Sequence, residues 1–150
     1  MPQAMPVPGR PSCSWVAQAG CTAMDVASIL AKKRQSFVSY EVEVQGEQRD
    51  DSHPHVYRRI EIVHEFVSPD LDVGAVRRSI LLSATRYCTA SAMFSAGPAE
   101  IHHRYLIRGG DGRPDEAGEV VVTGPGEEIE TLGERWRAAT APQAAAGAAT

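Results

Sequence analysis

A domain that mixes helices and strands is predicted by two kinds of periodicity in one short chain. Two stretches, AGCTAMDVASILAKKRQ and VRRSILLSATRYC, carry apolar residues at helical spacing. Between and after them run segments with strand character, one of them strictly alternating apolar and polar positions, the period-two pattern of a half-buried strand.

The elements follow in order. The Pro-rich residues 1–13 lack periodicity and read as an arm. A helix is expected from Ser14, a candidate N-cap, to about Arg34, where Lys32, Lys33 and Arg34 suit the negative end of the helix dipole. Trp15, Val16, Val26, Ile29 and Leu30 spread around much of its circumference, which predicts a helix packed on several sides. Val38, Tyr40, Val42 and Val44 alternate with polar residues in a first strand, and residues 55–67 (HVYRRIEIVHEFV) form a second. Ser68-Pro69-Asp70 opens a second helix, with proline in its first turn. Val73, Val76, Ile80, Ala84 and Tyr87 make its apolar face, and Cys88 lies at the margin of that face. A short turn or helix at residues 92–95 leads to a strand over Ile101–Ile107. After Arg108 come a turn-rich linker, a short strand at Val120–Val122, and a terminal helix with Ile129, Leu132 and Trp136 on one stripe. The expected organisation is an arm at 1–13, a domain at 14–108, and a linker and tail at 109–150.

Composition narrows the function classes. With 150 residues and 43% hydrophobic content, the chain suffices for one core. A net charge of −4 gives no basic footprint for nucleic acid. No run of about 18 apolar residues predicts a membrane span, and the first residues do not read as a secretory signal. Three cysteines, Cys13, Cys21 and Cys88, are too few for a disulfide framework. A reducing, cytoplasmic setting is expected.

The chemistry rests on Cys21 and Cys88. Two thiols distant in sequence, each on a helix, fit either peroxide-type redox chemistry or two buried core residues. A catalytic cysteine works as its thiolate and needs a positive neighbour; the i+4 neighbour of Cys21 is Asp25, an anion. Cys88 follows Arg86 by two residues and suits a resolving thiol. Cys13 lies two helical turns before Cys21, too far to bridge to it. His102 and His103 are adjacent and point to opposite faces of a strand, His53 and His55 flank Pro54, and His64 lies on the second strand. No Cys-x-x-Cys or His-x-x-x-His pair suggests zinc, and no glycine-rich phosphate loop is present.

Taken together, AGCTAMDVASILAKKRQ, YEVEVQGE, YRRIEIVHEFV and RRSILLSATRYC resemble the OsmC/Ohr family, the osmotically inducible and organic hydroperoxide resistance proteins, over about residues 14–108. The Cys-Thr-x-x-Asp opening at Cys21 places the resemblance on the OsmC side. It implies an α+β fold with two main helices packed against an antiparallel sheet, an intertwined homodimer, and a thiol-dependent peroxidase acting on organic hydroperoxides and hydrogen peroxide. Cys21 would be the peroxidatic residue and Cys88 the resolving one, with an external dithiol as reductant and no metal, flavin or haem. The chain departs from the family pattern in lacking the usual strands ahead of the cysteine helix and at three further points. Arg10 matches no position of the activating arginine, Ser12 stands nearest the family's glutamate, and Thr89 rather than proline follows Cys88. The alternative expectation is therefore a catalytically impaired dimeric binding or structural module. With few residues ahead of the cysteine helix, Trp15, Val16 or Val26 is expected to be uncovered unless the C-terminal segment packs there.

Overall fold

The computed structural model describes residues 10–51, 53–110 and 112–122. Three helices pack on one face of a four-stranded mixed sheet. The expected terminal helix carrying Ile129, Leu132 and Trp136 lies outside the described residues.

Helix α1 runs Arg10–Lys32, so it begins before the expected Ser14 cap, inside the stretch read as an arm. Its C-terminus closes as a Schellman turn: Gln35 N–H donates to the Leu30 carbonyl and Arg34 N–H to Ala31. Arg34 holds the left-handed position at φ 56° that glycine usually fills. The side-chain oxygen of Gln35 then accepts the N–H of Asp72, tying the end of α1 to the start of the next helix.

Strands β1 (Ser39–Gln48) and β2 (Tyr57–Val67) pair antiparallel. Helix α2 starts later than expected, at Val73, and runs to Leu82. The Asp72 carboxylate caps it by accepting Ala75 N–H, while Ser68 Oγ takes the Leu71 N–H in the preceding turn. Side-chain capping thus overrides the proline signal. Helix α3 is Thr89–Ser95, and the chain then enters β3 (Glu100–Arg108), which lies parallel to β2. The sheet is mixed rather than antiparallel as expected, because the crossover through α2 and α3 brings the chain back in the direction of β2. Strand β4 (Glu116–Val122) pairs antiparallel with β3 and is longer than the expected Val120–Val122. Its first residues, Glu116-Ala117-Gly118, have low strand propensity, and pairing to β3 holds them.

The sheet is two-sided in the expected way. Ile60, Ile62 and Phe66 of β2, Ile101 and Ile107 of β3, and Val120 and Val122 of β4 meet Val26 and Leu30 of α1 and Val76 and Ile80 of α2. The opposite face carries ion pairs: Arg104 bridges Glu61 (2.6 Å) and Glu119 (3.5 Å), and Arg108 binds Glu65. His102 belongs to that face and bonds Glu119 at 2.9 Å.

Helix α1 corrects one expectation. Within this chain it is buried on one face only, along Gln18, Ala19, Thr22, Val26 and Leu30. Val16 and Met24 are 67% and 75% exposed, whereas Val26 is fully buried. Trp15 is half-covered: its indole lies on Gly46 of β1 and beside Tyr57 of β2, ring centroids 5.7 Å apart. A Cβ at Gly46 would lie within 3 Å of that indole, so glycine is required by close approach.

Two buried histidines sit in the core layer. His64 and His103 stack across β2 and β3 with Nε2 and Nδ1 3.1 Å apart, and Tyr40 Oη lies 2.8 Å from His64 Nδ1. Burial lowers the His64 pKa from 6.5 to about 4. His103 is lowered well below 6.5 by burial and then by His64 and His102. Both rings are therefore neutral at pH 7 in the folded chain. A depressed pKa contributes stability above the unfolded value of 6.5 that is lost as pH falls through the folded value. Unfolding free energy from urea titrations should drop by on the order of 3 kcal/mol between pH 7 and pH 4 through His64. In a His64→Gln chain that part of the slope should vanish; an unchanged slope would refute the assignment.

Candidate thiol site

The site forms where α1 crosses the joint between α2 and α3. Residues Ser83–Tyr87 wind as a π-turn, closed by Cys88 N–H donating to the Ser83 carbonyl at 2.8 Å. Such wide turns break the regular ladder and commonly mark functional positions. Here the turn ends α2 and leaves Cys88 extended, as the N-cap of α3. Its sulfur accepts the Ser91 N–H at 3.4 Å.

From the other side, α1 presents Cys21 and Asp25 one turn apart. The sulfurs of Cys21 and Cys88 and a carboxylate oxygen of Asp25 lie within 4.8 Å of one another. Cys88 is buried and Cys21 is partly exposed. The two residues singled out in the sequence thus meet, although 67 positions apart. Cys13 is exposed and takes no part.

A polar seam fixes this meeting. Gln18 Nε2 donates to Ser91 Oγ at 2.6 Å, fully buried. Thr22 Oγ1 and Ser83 Oγ lie 3.1 Å apart, and Ser83 donates to Asp25 Oδ2 at 2.9 Å. Gln18, Thr22 and Asp25 thus each meet the α2–α3 joint through Ser91 or Ser83. Sequence reading found Asp25 by its i+4 relation to Cys21 and Thr22 only as part of the Cys-Thr-x-x-Asp opening, but missed Gln18, Ser83 and Ser91. The available signal was their spacing, +4 and +7 from Gln18 and −5 and +3 from Cys88.

The electrostatics disfavour ionisation of the inner thiol. Burial raises the Cys88 pKa above 9.0, and the adjacent Cys21 sulfur adds to this, while the Ser91 contact opposes it. Among the described residues, no arginine bonds to Cys21, Asp25 or Cys88. Next to the pair, an open groove of about 520 Å³ is lined by Asp25, Ile29, Lys32, Lys33, Leu82 and Tyr87.

Among the described residues no helix is long and apolar enough to cross a membrane. The arrangement defines a class: an α+β domain that holds two cysteines from separate helices against each other above a mixed sheet.

Comparison with known proteins gives that class its family. The OsmC-like protein family matches residues 13–121, and the chain belongs to it. The protein YhfA of Escherichia coli K12 is 37% identical over 92 residues, 61% of this chain and 67% of YhfA. A hypothetical protein from Aquifex aeolicus shares the fold with a TM-score of 0.60 and 25% identity, over 70% of this chain and 77% of that one. An organic hydroperoxide resistance protein OsmC from Legionella pneumophila superposes with a TM-score of 0.55 at 7% identity, over 69% and 72% of the two chains. The expected α+β, OsmC-like fold is therefore established.

The seam makes an asymmetric prediction. Ser91→Ala strands the buried Gln18 amide and should cost about 1–3 kcal/mol in urea unfolding. Adding Gln18→Leu removes the stranded group and should recover most of that loss. A double variant no more stable than the single would show that the bond does not organise the joint.

Proposed function

We propose that the chain is a thiol-dependent peroxidase in which Cys21 is oxidised by peroxide and Cys88 resolves the product. The observation that carries this reading is the approach of the two sulfurs, within 4.8 Å. Cys21, the more exposed of the two, meets the substrate; its thiolate attacks one oxygen of the O–O bond. The alkoxide leaves, takes a proton to become an alcohol (or water from hydrogen peroxide), and Cys21 becomes a sulfenic acid. Cys88 then attacks that sulfur, water leaves, and a disulfide joins α1 to the α2–α3 joint. An external dithiol returns both thiols and becomes a disulfide itself. This balance needs no metal, flavin or haem.

The groove beside Asp25 supports organic hydroperoxides as substrates, because Ile29, Leu82 and Tyr87 offer apolar wall. Exposed Val16, Met24, Tyr87 and Met93 support a homodimer, since large apolar side chains at the surface favour burial against a second copy. A second chain would also be the source of a cation for the thiol pair, which lacks an arginine partner among the described residues of its own chain. The reducing cytoplasm suits thiols that must cycle. The competing reading, an inactive binding module, draws on the carboxylate of Asp25 beside the sulfurs.

Consumption of cumene hydroperoxide with a dithiol decides between them. Wild type should turn over, and Cys21→Ser should fall to the uncatalysed background. Cys88→Ser should react once and retain a sulfenic acid trapped by dimedone. Because the Cys88 pKa is raised above 9.0, its thiolate is scarce at neutral pH. Disulfide closure in stopped flow should therefore keep accelerating as pH rises from about 7 to about 9 rather than level off. Wild type no faster than Cys21→Ser would establish the module.

A further inference from the structure

Asp25 has no role in the peroxide chemistry above, and a carboxylate beside two sulfurs opposes their ionisation. Its position suits a different task. Cys21 and Asp25 stand four residues apart on α1, so they project from one face one turn apart. Cys88 reaches them from the far side of the seam. The three ligand atoms lie within 4.8 Å of one another. A tetrahedral zinc ion with bonds of about 2.3 Å to sulfur spaces its sulfurs about 3.8 Å apart, so small side-chain rotations close the set.

The ligands are also supported from behind. Ser83 Oγ donates to Asp25 Oδ2 at 2.9 Å and is itself 3.1 Å from Thr22 Oγ1. Outer partners of this kind orient the carboxylates and imidazoles of metal sites. Ser91 N–H does the same for the Cys88 sulfur.

We propose that Cys21, Asp25 and Cys88 form a binding site for a borderline-soft divalent cation of the zinc class. Two sulfurs and one oxygen exclude magnesium and calcium, which take all-oxygen shells. Three protein ligands leave the fourth tetrahedral position to water. Each ion displaces the two thiol protons and engages both sulfurs, so metal and peroxide compete for the same atoms, and only the dithiol form binds. Sequence spacing concealed the site, because its ligands come from two helices brought together by the fold.

The test uses the full chain carrying Cys13→Ser, reduced, anaerobic and free of peroxide. Zinc is titrated against a chromophoric chelator, and cadmium serves as a spectroscopic probe of thiolate ligation. One ion per chain and a thiolate-to-cadmium charge-transfer band are expected. Asp25→Asn, which keeps both thiols, should weaken zinc binding at least about tenfold, and Ser83→Ala by about tenfold. Circular dichroism of each metal-free variant verifies that the fold is retained. Zinc binding no tighter than in Cys21→Ser, or unchanged in Asp25→Asn, overturns the proposal. Neither outcome bears on peroxide turnover, which is measured without added metal.

Discussion

The structure depends on the docking of α1 against the break between α2 and α3. Apolar packing of Val26 and Leu30 supplies the bulk attraction, but it does not set the register of one helix on the other. The register comes from polar contacts, buried from Gln18 to Ser91 and from Thr22 to Ser83, and part-buried from Asp25 to Ser83. Each such bond contributes only about 1 kcal/mol net. The penalty for misplacing it is larger, because a stranded polar group inside the core has no water to turn to. A slip of one residue along α1 would strand several at once. That constraint holds the two sulfurs together.

The π-turn is the second part of the same device. A regular α2 would have carried Cys88 on as one more helical residue; instead the wide turn at Ser83–Tyr87 ends the helix and lets Cys88 cap α3. One sulfur is thereby sunk in the core while its partner stays accessible on α1. Under the peroxidase proposal, an inner and an outer thiol of different exposure serve the two redox steps. Under the metal proposal, the same sulfurs with Asp25 are a ligand set, and the two proposed uses exclude each other at any moment.

Much of this was legible in the sequence, for physical reasons. Strand β1 alternates strictly because one face is solvated, and Cys21 and Cys88 stood out as the reactive residue types on helical stretches. Parallel pairing of β2 with β3 was not visible, since it depends on the crossover through α2 and α3. Nor was the meeting of His64 with His103, which sit 39 residues apart and read separately as unremarkable strand residues. The start of α2 was misread because Asp72 caps more strongly than Pro69 initiates. The breadth of apolar residues on α1 predicted burial on several sides, yet Val16 and Met24 remain open in the single chain. Surface for a second copy, rather than packing within the chain, accounts for that breadth under the dimer proposal.

The whole account requires that the sulfurs of positions 21 and 88 share one site in solution. The direct measurement is peptide mapping by mass spectrometry after one equivalent of oxidant is added to the reduced chain. A single intrachain bridge between Cys21 and Cys88, with Cys13 still free to alkylate, is the predicted result. Bridges running only between chains, or two thiols that alkylate as readily as before oxidation, would contradict it.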